Sequence, residues 1–402
     1  MGLNGKTFIL GVTGGIAVYK VPELISRLRR KGLNVEVIMT KAAAEFVTPL
    51  TFREVSRNPV HLEMFGNDFE WRVEHISLAQ KADLFGVIPA TANIIGKIAN
   101  GIADDLLTTS IMAATAPKII APAMNPAMYH NPIFQKNLKT LAENGYYIVE
   151  PACGEVLCGD QGIGRLAELD DLILAVEKCL SVQDLSGETV LITAGGAKEP
   201  LDPVRYLGNR SSGKMGHALA EAAYKRGAKV LLVTAAALPT NPGITTFRVE
   251  TTAAMRSKTL ELAAEASIII KSAAPADYRP EKIAAQKIKK NEVEFNLKLI
   301  PNPDILLELG RAKQPNQILV GFAAETESLK ENALAKLNRK NLDLIVANLV
   351  GSPGTGMGSD RNRVTIYTKE EAVEIPEMSK ILLADVILDH ILNYKNKRVL
   401  TA

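Results

Sequence analysis

Short apolar runs alternate with segments of helical spacing through the first 180 residues. The run 7–12 (TFILGV) ends in the turn Thr13-Gly14-Gly15, and the segment 16–31 after it has the pattern of a helix. Further short apolar runs predict strands at 34–39, 83–88, 118–121 and 146–149, and helices are predicted at 93–99 and 170–180. Such strands, separated by helices, are typical of a parallel sheet covered on both faces.

The same arrangement starts again after a short polar segment, 181–188, which we take as a domain boundary. The pattern predicts strands at 189–194, 229–234, 245–249, 267–271, 293–299, 317–321 and 343–347, a hairpin at 363–375, and helices at 213–226, 252–265, 303–311, 328–340 and 377–394. We therefore predict an α/β protein of two Rossmann-like or flavodoxin-like domains with mostly parallel sheets, at 1–187 and 188–402.

Both predicted domains begin with an apolar strand that runs into a glycine turn and a helix. Glycine lets the backbone approach a ligand closely, and the unpaired N–H groups of a helix N-terminus face an anion. The two starts, TFILGVTGG and ETVLITAGG, lie about 180 residues apart. The sequence therefore predicts two nucleotide-type sites on one chain.

Composition and charge narrow the class of protein. The 402 residues are 47% hydrophobic and 23% charged, with a net charge of +3, as in an ordinary globular protein. This mild charge suits anionic small molecules, and we expect no nucleic-acid partner. The three cysteines argue for a reducing compartment, and no apolar run is long enough to span a membrane. We expect a cytoplasmic protein with no membrane partner.

Three polar segments of the first half contain side chains that an apolar core does not select. They centre on His75 (73–77), Asn125 (122–128) and Cys158 (154–160). A histidine, an amide and a thiol together supply proton transfer, a carboxylate anchor and a proton donor. Taken singly, each also has a structural interpretation: a surface histidine, a turn former before proline, and a small apolar residue.

A further segment, 89–93 (PATAN), follows the predicted strand 83–88, where an open α/β sheet places its ligand crevice. Its small residues allow a flat ring to approach closely. Thr91 and Asn93 either form hydrogen bonds to such a ring or cap the next helix.

In this order, the turn TGGIAVYK, His75, the blocks PATAN and GKIANGIADDLL, PAMNPAM and the CGD segment resemble the flavin-dependent cysteine decarboxylases. The resemblance spans residues 1–180. It implies an FMN cofactor that oxidises the carbon bearing the substrate's thiol, so that the neighbouring carboxylate leaves as CO₂. It also implies a site between the subunits of a trimer.

The same resemblance assigns roles by position. His75 is the expected base or flavin-orienting group, Asn125 is expected to bind the substrate carboxylate, and Cys158 is expected to protonate the product carbanion. The expected FMN-binding residues are Gly14, Gly15, Thr40, Thr91, Ala92 and Asn93, and the residues expected to shape the substrate pocket are Met124 and Met128.

The second half contains a near-match to a phosphate-binding loop. Residues 208–214 (GNRSSGK) fit the motif, but Met215 stands where a P-loop needs Ser or Thr to hold Mg²⁺, so we exclude a P-loop ATPase. What remains is a polar segment, 211–214, which either binds phosphate or caps the helix. Arg205, just before it, is placed to pair with a phosphate or carboxylate.

Other polar residues of this half follow predicted strands or share a helix face. Asp277 follows the strand 267–271, and Lys287 lies in the lysine run 287–290. Lys336 and Lys340 are spaced i, i+4 and share one face of a helix. Lysines of this kind are usually solvated, although a triphosphate would use them.

Together, the segments DPVRYLGNRSSGKMG, APADY, KIKK, NPDIL, GFAAET and RKNLDLIVAN resemble the phosphopantothenate–cysteine ligases over most of 188–370. Behind a decarboxylase, this half looks like part of a bifunctional enzyme of coenzyme A biosynthesis. The resemblance implies that 4′-phosphopantothenate attacks CTP to form an acyl-cytidylate, and that L-cysteine then displaces CMP. The ligase product, 4′-phosphopantothenoylcysteine, is then the decarboxylase substrate, and 4′-phosphopantetheine the final product.

By motif position, Asn209 would steer the acyl-cytidylate with Arg205 beside it, and Lys287 would act in a closing loop. The residues expected at CTP and phosphopantothenate are Ala273, Asp277, Pro303, Asp304, Phe322, Lys336 and Lys340. Mg²⁺ is expected to neutralise the phosphates, and Asp277 either reads the base or holds the metal. A trimeric first half and a dimeric second half would together give a dodecamer.

Two other hypotheses fit the sequence less well. One is a decarboxylase for another cysteine-type substrate, and the attached ligase half argues against it. The other is a non-catalytic flavin-binding interaction protein, and the joint presence of His75, Asn125 and Cys158 argues against that. The sequence leaves open whether CTP is preferred to ATP, and whether coenzyme A thioesters regulate the enzyme.

Overall fold

The computed structural model describes residues 3–64, 73–155, 159–290, 295–349 and 358–401. It divides into two compact units, Met1–Val182 and Gln183–Ala402. Both units are α/β with mostly parallel sheets, which confirms the predicted fold class. In the described part of the chain, no helix combines the length and the apolar character needed to cross a membrane.

The first unit is built on a parallel sheet whose strands are β1 Thr7–Val12, β2 Asn34–Met39, β3 Val60–His61, β4 Leu84–Ala90, β5 Lys118–Pro122 and β6 Tyr146–Ile148. Their order across the sheet is β3-β2-β1-β4-β5-β6. The central strands are apolar at nearly every position because helices cover both faces, and Phe8, Ile9 and Leu10 are fully buried.

The helices of this unit are α1 Val21–Arg30, α2 Lys41–Ala44, α3 Pro49–Ser56, α4 Glu74–Lys81, α5 Ala92–Ala99, α6 Leu106–Ala113, α7 Pro126–Tyr129, α8 Pro132–Glu143 and α9 Leu169–Leu180. The predicted single helix 16–31 is wrong in one respect. A 3-10 turn, Ile16–Lys20, precedes α1, because Pro22 lacks the N–H of a helix interior and fits only a first turn.

A short antiparallel hairpin, which we call the flap, lies outside the main sheet. It consists of β7 Ala152–Glu155 and β8 Gln161–Arg165. The amide of Met124 donates to the Gly164 carbonyl at 2.8 Å. A Cβ on Gly164 would lie 2.3 Å from the Met124 carbonyl oxygen, so glycine is needed for this close approach. The flap is therefore held against the segment that follows β5.

The second unit has a larger sheet, with β9 Thr189–Ala194, β12 Lys229–Thr234, β13 Thr245–Arg248, β14 Ile268–Lys271, β17 Ile318–Glu325, β18 Leu344–Leu349, β19 Arg361–Tyr367 and β20 Ala372–Ser379. The order is β13-β12-β9-β14-β17-β18-β19-β20. The pairs β18–β19 and β19–β20 are antiparallel, and the other neighbouring pairs are parallel.

The helices around this sheet are α10 Lys214–Lys225, α11 Thr252–Ala263, α12 Ile305–Ala312, α13 Leu329–Arg339 and α14 Lys380–Thr401. Two small ribbons pair β10 Lys198–Pro200 with β11 Tyr206–Gly208, and β15 Tyr278–Pro280 with β16 Leu299–Pro301. The predicted strand 293–299 is wrong over 295–298, which has no strand structure. Phe295 is 59% exposed there, so its apolar side chain packs against no sheet face.

The two sheets share one topological feature. In each, the first strand of the unit lies inside the sheet, and the chain proceeds outward on one side before it returns to the other. The order therefore reverses between β1 and β4 in the first unit and between β9 and β14 in the second. Open α/β sheets bind ligands at this switch point, beyond the carboxyl ends of the strands.

Candidate active sites

The switch point of the first unit brings three predicted loops together. A Cβ on Gly14 would lie 2.5 Å from the Cβ of Ala42, in the loop region after β2, and one on Gly15 would lie 3.5 Å from Thr91 Cγ2. The buried Thr13 hydroxyl donates to the Pro89 carbonyl at 2.7 Å and accepts from the Thr91 amide at 3.2 Å. The predicted glycine turn therefore lies directly beside the PATAN segment.

The two threonines predicted to contact FMN also cap helices. The Thr40 hydroxyl accepts from the Ala43 amide at 3.3 Å, and the Thr91 hydroxyl accepts from the Ile94 amide at 3.4 Å. The helix cap that the sequence left as the alternative role of Thr91 is therefore present, Thr40 has an equivalent cap, and each hydroxyl still has its own proton to donate. Asn93 is exposed in the first turn of α5.

His75 is the second residue of α4 and is half-buried. Its neighbour Glu74 pairs with Nδ1 of His61 at 2.5 Å, and His61 is the last residue of β3. Behind His61, the buried Glu36 of β2 pairs with Lys81, the last residue of α4. The pair of Glu74 with His61 fixes the start of α4, and with it His75, at the carboxyl end of β3, and the pair of Lys81 with Glu36 fixes the end of the helix.

Asn125 follows β5 and caps α7, with its side-chain oxygen accepting from the Ala127 amide at 2.8 Å. Its side-chain amide donates to the carboxylate of Asp160, in the flap, at 2.6 Å. Met124 is half-buried and Met128 is 50% exposed. Cys158, the expected proton donor, lies outside the described residues.

The predicted residues of the first site thus follow the carboxyl ends of different strands. His75 belongs to the β3 side and Asn125 to the β5 side, with β2, β1 and β4 between them. Since neighbouring strands are about 4.8 Å apart, β3 and β5 are separated by roughly 19 Å. The sheet therefore places the expected base and the expected carboxylate anchor on opposite sides of the switch point.

The switch point of the second unit opens into a cavity of about 300 Å³. Seven residues predicted for the ligase reaction line it: Asn209, Ala273, Asp277, Pro303, Asp304, Phe322 and Lys340. Polar residues from the start of α10, the ends of β14 and β18, and the start of α12 converge on it, and β17 contributes the apolar Phe322, Ala323 and Ala324. Arg205, Lys287 and Lys336 are not among its lining residues.

Hydrogen bonds tie the loop after β14 to its neighbours. The Ala273 amide donates to the Thr193 hydroxyl at 3.2 Å, and the Ala274 amide donates to the Gly195 carbonyl at 3.0 Å. The Asn209 amide donates to the carbonyls of Ala274 and Pro275 at 3.2 and 3.1 Å. Asn209 therefore lines the cavity and also holds the loop after β14 in place.

The two lysines predicted to share a helix face have different surroundings. Lys340 pairs with Asp304 at 2.8 Å, and Lys336 pairs with Glu325 at 2.5 Å. Burial opposes ionisation of Asp304, but the Lys340 ammonium and the Leu307 amide outweigh it and hold the pKa of the carboxyl below its usual range. Both lysines therefore already have carboxylate partners.

Arg205 and Lys287 belong to one loop assembly outside the cavity. The buried Asp202 accepts from the Ile288 amide at 3.1 Å, and Arg205 donates to the Ile288 carbonyl at 3.0 Å while pairing with Asp202 at 3.3 Å. The neighbouring Lys287 is exposed. The loop is thus held in place through Ile288, and the Lys287 ammonium lies in solvent.

Lys214, from the predicted polar segment 211–214, also lines the cavity, together with two lysines that the sequence motifs did not single out, Lys271 and Lys380. Lys271 ends β14 and donates to the Ala273 carbonyl at 2.8 Å. Burial lowers the pKa of the Lys271 ammonium to about 8, and the charge of Lys340 acts in the same direction. The apolar run IIIK predicts this strand but gives no sign that its terminal lysine faces a cavity.

Comparison with known proteins agrees with the two-unit division. The Flavoprotein family matches residues 2–181, and the DNA/pantothenate metabolism flavoprotein C-terminal domain matches residues 185–394. The Coenzyme A biosynthesis bifunctional protein CoaBC of Bacillus subtilis (strain 168) is 46% identical over 395 residues, which is 97% of each chain. The chain belongs to the CoaBC family. The CoaBC protein of Vibrio cholerae is 45% identical over 389 residues, 96% of this chain and 98% of that one.

Membership of the CoaBC family confirms both resemblances, and with them a bifunctional decarboxylase and ligase of coenzyme A biosynthesis whose first half is a flavoprotein. Among solved structures, the C-terminal domain of a CoaBC protein is 39% identical, with a TM-score of 0.45, covering 52% of this chain and 96% of that one. A PPC decarboxylase in complex with pantothenoylaminoethenethiol is 30% identical, with a TM-score of 0.39, covering 42% of this chain and 96% of that one.

Proposed function

We propose that this chain converts 4′-phosphopantothenate and L-cysteine to 4′-phosphopantetheine in two steps. The second unit, with CTP, forms 4′-phosphopantothenoylcysteine through an acyl-cytidylate. The first unit, with FMN, removes CO₂ from that product. The main support is the cavity at the switch between β9 and β14, whose wall collects residues from five separate sequence motifs.

The first switch point fits a flavin. The close contact at Gly14 leaves no room for a larger side chain, so backbone groups form the surface there. The half-buried hydroxyls of Thr40 and Thr91 and the exposed amide of Asn93 lie around this turn as hydrogen-bonding groups. When bound, the flavin would supply a reversible acceptor for the electron pair of the thiol-bearing carbon, which permits loss of the neighbouring carboxylate and gives the pair back afterwards, so that decarboxylation involves no net oxidation.

In this proposal His75 acts as the base or orients the flavin, and Asn125 holds the substrate carboxylate with its amide. Since β3 and β5 are four strand spacings apart, we assign His75 and Asn125 to a site completed by a neighbouring subunit. Exposed apolar residues flank both: Val73 (59%) and Ile76 (38%) beside His75, and Met128 (50%) near Asn125. Exposed apolar surface of this kind marks interaction sites, which supports a trimer of the first unit.

In the second unit, the lysine-rich wall favours the polyphosphate of CTP. The substrate carboxylate attacks the α-phosphate and pyrophosphate leaves, after which the cysteine amine attacks the acyl carbon and CMP leaves. We assign the positioning of the acyl-cytidylate to Asn209 and to the backbone at Ala273. The charged ends of Lys340 and Lys271 lie where their electrostatic attraction to a polyphosphate is strongest, because burial strengthens ion pairs.

Mg²⁺ fits this cavity only as a companion of the nucleotide. Within the described ranges, no three Asp, Glu, His or Cys side chains are grouped as a metal site. Asp304 is paired with Lys340, which leaves the exposed Asp277 as a carboxylate for a metal. Mg²⁺ is commonly held by one or two carboxylates, water and substrate phosphates, so we assign Asp277 to this role.

The first experiment supplies purified protein with 4′-phosphopantothenate, L-cysteine, Mg²⁺ and CTP, and follows CMP, CO₂ and 4′-phosphopantetheine together. A parallel reaction without CTP receives 4′-phosphopantothenoylcysteine directly, and another replaces CTP by ATP. We expect all three products, with CTP needed only for the first step. CMP in the complete reaction, with no CO₂ there or from 4′-phosphopantothenoylcysteine, would contradict the assignment of the first unit. CO₂ from 4′-phosphopantothenoylcysteine, with no CMP in the complete reaction, would contradict the assignment of the second unit.

The oligomer is tested separately by light scattering on the intact chain and on residues 1–182. A trimer of the shorter chain and a dodecamer of the intact chain are expected. A monomeric shorter chain that retains decarboxylase activity would contradict a site shared between subunits.

A further inference from the structure

A second cavity of about 300 Å³ lies in the second unit, beside the cavity at the switch point. It is bounded by the ribbon of β10 and β11 and by the segment 235–238 that follows β12, and we call it the side cavity. Asn209, Ser211 and Ser212 line both cavities, so the two share one wall. Of the residues that line the side cavity, only Asn209 has a role in the function proposed above.

The wall opposite the ribbon is held in place by hydrogen bonds. The Ala236 amide donates to the Thr234 hydroxyl at 3.1 Å. The Arg248 guanidinium donates to the carbonyls of Ala236 and Leu238, both at 3.0 Å. The segment 235–238 is therefore fixed before a ligand binds, and the side cavity is preformed.

Lys198 is the cationic side chain of the ribbon. It is half-buried, and its ammonium lies 5.2 Å from the centre of the Tyr206 ring. Its amide donates to the Glu250 carbonyl at 2.8 Å, and the next residue, Glu199, is 3% exposed and accepts from the Thr252 amide at 2.9 Å. The backbone of β10 is therefore fixed, and the alternation of side chains along a strand turns Lys198 away from the buried Glu199.

The surroundings of the Lys198 ammonium favour an anionic ligand. In the described part of the chain, no carboxylate lies within ion-pair distance of it. Its contact with the Tyr206 ring leaves the donor protons of the ammonium available for an anion. The half-buried hydroxyls of Ser211 and Ser212 add two hydrogen-bonding groups on the shared wall. The side cavity therefore suits a small molecule with one anionic group.

Three substrates take part in the proposed ligase reaction, and two of them must meet in the cavity at the switch point. The carboxylate of 4′-phosphopantothenate attacks the α-phosphate of CTP there. The acyl-cytidylate, which we assign to Asn209, still occupies this cavity when L-cysteine arrives. Cysteine therefore needs a separate approach from which its amine reaches the acyl carbon.

We propose that the side cavity is the L-cysteine site of the ligase, with Lys198 as the partner of the cysteine carboxylate. The amine then reaches past Asn209 into the cavity at the switch point. It forms a bond to the acyl carbon, the bond from that carbon to the phosphate oxygen breaks, CMP leaves with the electron pair, and the amine proton passes to water. This inference rests on the proposed ligase function.

The test compares L-cysteine with cysteamine, which has the same amine and thiol but no carboxylate. The full chain carries Lys198→Met or Lys198→Arg, with Lys369→Met as a matched control at an exposed lysine, and CMP release is followed. In Lys198→Met, the KM for L-cysteine should rise about ten- to one-hundredfold, because a charge-assisted hydrogen bond is lost. The KM values for cysteamine, CTP and 4′-phosphopantothenate should stay those of the parent. Lys198→Arg should restore part of the affinity, and Lys369→Met should match the parent.

Cysteamine separates a contact with the carboxylate from a general disturbance of the site. Equal rises in KM for cysteine and cysteamine, or an unchanged KM for cysteine, would overturn the proposal. A higher KM for CTP or 4′-phosphopantothenate alone would give the side cavity to that substrate and would overturn it too. If Lys198→Met fails to fold, Tyr206→Leu tests the same site, since Tyr206 is 57% exposed and its ring positions the ammonium. It should also raise the KM for cysteine and leave that for cysteamine unchanged.

A binding measurement separates this inference from the proposed function. Ligand-observed NMR of L-cysteine with the parent and with Lys198→Met needs no turnover. If the parent forms no CMP, the proposed ligase function fails, and weaker cysteine binding by the variant still supports the site. Equal binding by the two proteins, or binding by neither, then contradicts the site. If the parent does form CMP, the KM values for cysteine and cysteamine decide.

Discussion

The side-chain amide of Asn125 donates a hydrogen bond of 2.6 Å to the carboxylate of Asp160. This pair joins the segment after β5 to the flap. The amide that we assign to the substrate carboxylate thus already has a carboxylate of the protein as its partner. Binding of the substrate at Asn125 therefore requires Asp160 to move or to share the amide.

Replacing Asp160 by Asn removes a negative charge beside the proposed carboxylate anchor and keeps a side chain of the same size. We expect the KM for 4′-phosphopantothenoylcysteine to fall roughly two- to fivefold, which corresponds to the ~0.5–1 kcal/mol of an exposed charge pair. Steady-state decarboxylation measures this, with Asp170→Asn as a control at an exposed carboxylate in α9. A higher KM would show that Asp160 assists binding.

The ion pair between His61 and Glu74 predicts an indirect effect on His75. Replacing Glu74 by Gln weakens the attachment of α4 to β3, so His75 loses its fixed position. We expect kcat for decarboxylation to fall by about tenfold with little change in KM, since positioning affects the chemical step. His61→Asn should show the same effect. Independent effects that add up in the double variant would contradict a shared role.

The lowered pKa of Lys271 predicts that CTP binding depends on pH. Its ammonium, with a pKa of about 8 near Lys340, Asp304, Asp277 and Lys336, loses its proton as the pH rises through that value. The cavity then loses one positive charge, so CTP should bind more weakly at pH 9 than at pH 7. Calorimetric titration of parent and Lys271→Met should show weaker binding by the variant at pH 7 and no step near pH 8. A step of equal size in both proteins would assign it to another group.

The same lysine has a predictable effect on stability. The pKa of Lys271 in the folded protein lies below its usual value of 10.5, so folding disfavours the protonated form. This cost is fully present below about pH 8 and disappears as the pH rises toward 10.5, which makes the parent gain stability over that window. We expect Lys271→Met to lack this gain in urea unfolding between pH 8 and 10. A parallel rise in the free energy of unfolding of both proteins would show that the gain does not come from Lys271.

The hydrogen bond from the Ile288 amide to Asp202 predicts that Asp202 controls the mobility of the loop that contains Lys287. Burial opposes its ionisation, but the amides of Val204, Arg205 and Ile288 outweigh it and hold the pKa of the carboxyl below its usual range. Asp202→Ala removes the acceptor of the Ile288 amide, so the loop should detach. Trypsin should then cleave after Lys287 and Lys289 several times faster than in the parent. Asp184→Ala, which breaks an ion pair elsewhere in the unit, is the control.

Much of the fold follows from local patterns. The strands 7–12, 34–39, 189–194 and 229–234 have the predicted bounds, because an apolar run between polar turns is an unambiguous signal in a buried parallel sheet. The predicted strand 293–299 is wrong over 295–298, where the apolar side chains of Phe295 and Leu297 face solvent, which only the tertiary structure decides. Pro22 is a local signal that could have placed the break before α1.

The sites were predictable where motifs follow strands. Gly14, Thr91, Asn209 and Ala273 lie at the two switch points because a strand order of this type places loop residues there. The partners of Lys336, Lys340 and Asn125 were not predictable, since Glu325, Asp304 and Asp160 meet them only through the fold. Lys380 was missed because a lysine at a helix start is ordinarily exposed.

In both units the strand made first becomes an interior strand, with later strands on each side. β1 reaches its neighbour β4 only after residues 84–90 exist, and β9 reaches β14 only after 268–271. During synthesis, the strand before each glycine turn therefore lacks one of its neighbouring strands until about 75 more residues have been made. This takes several seconds at ordinary synthesis rates. Every strand of the first sheet nevertheless lies within 1–182, so its ligand site can form while the second sheet is still being made.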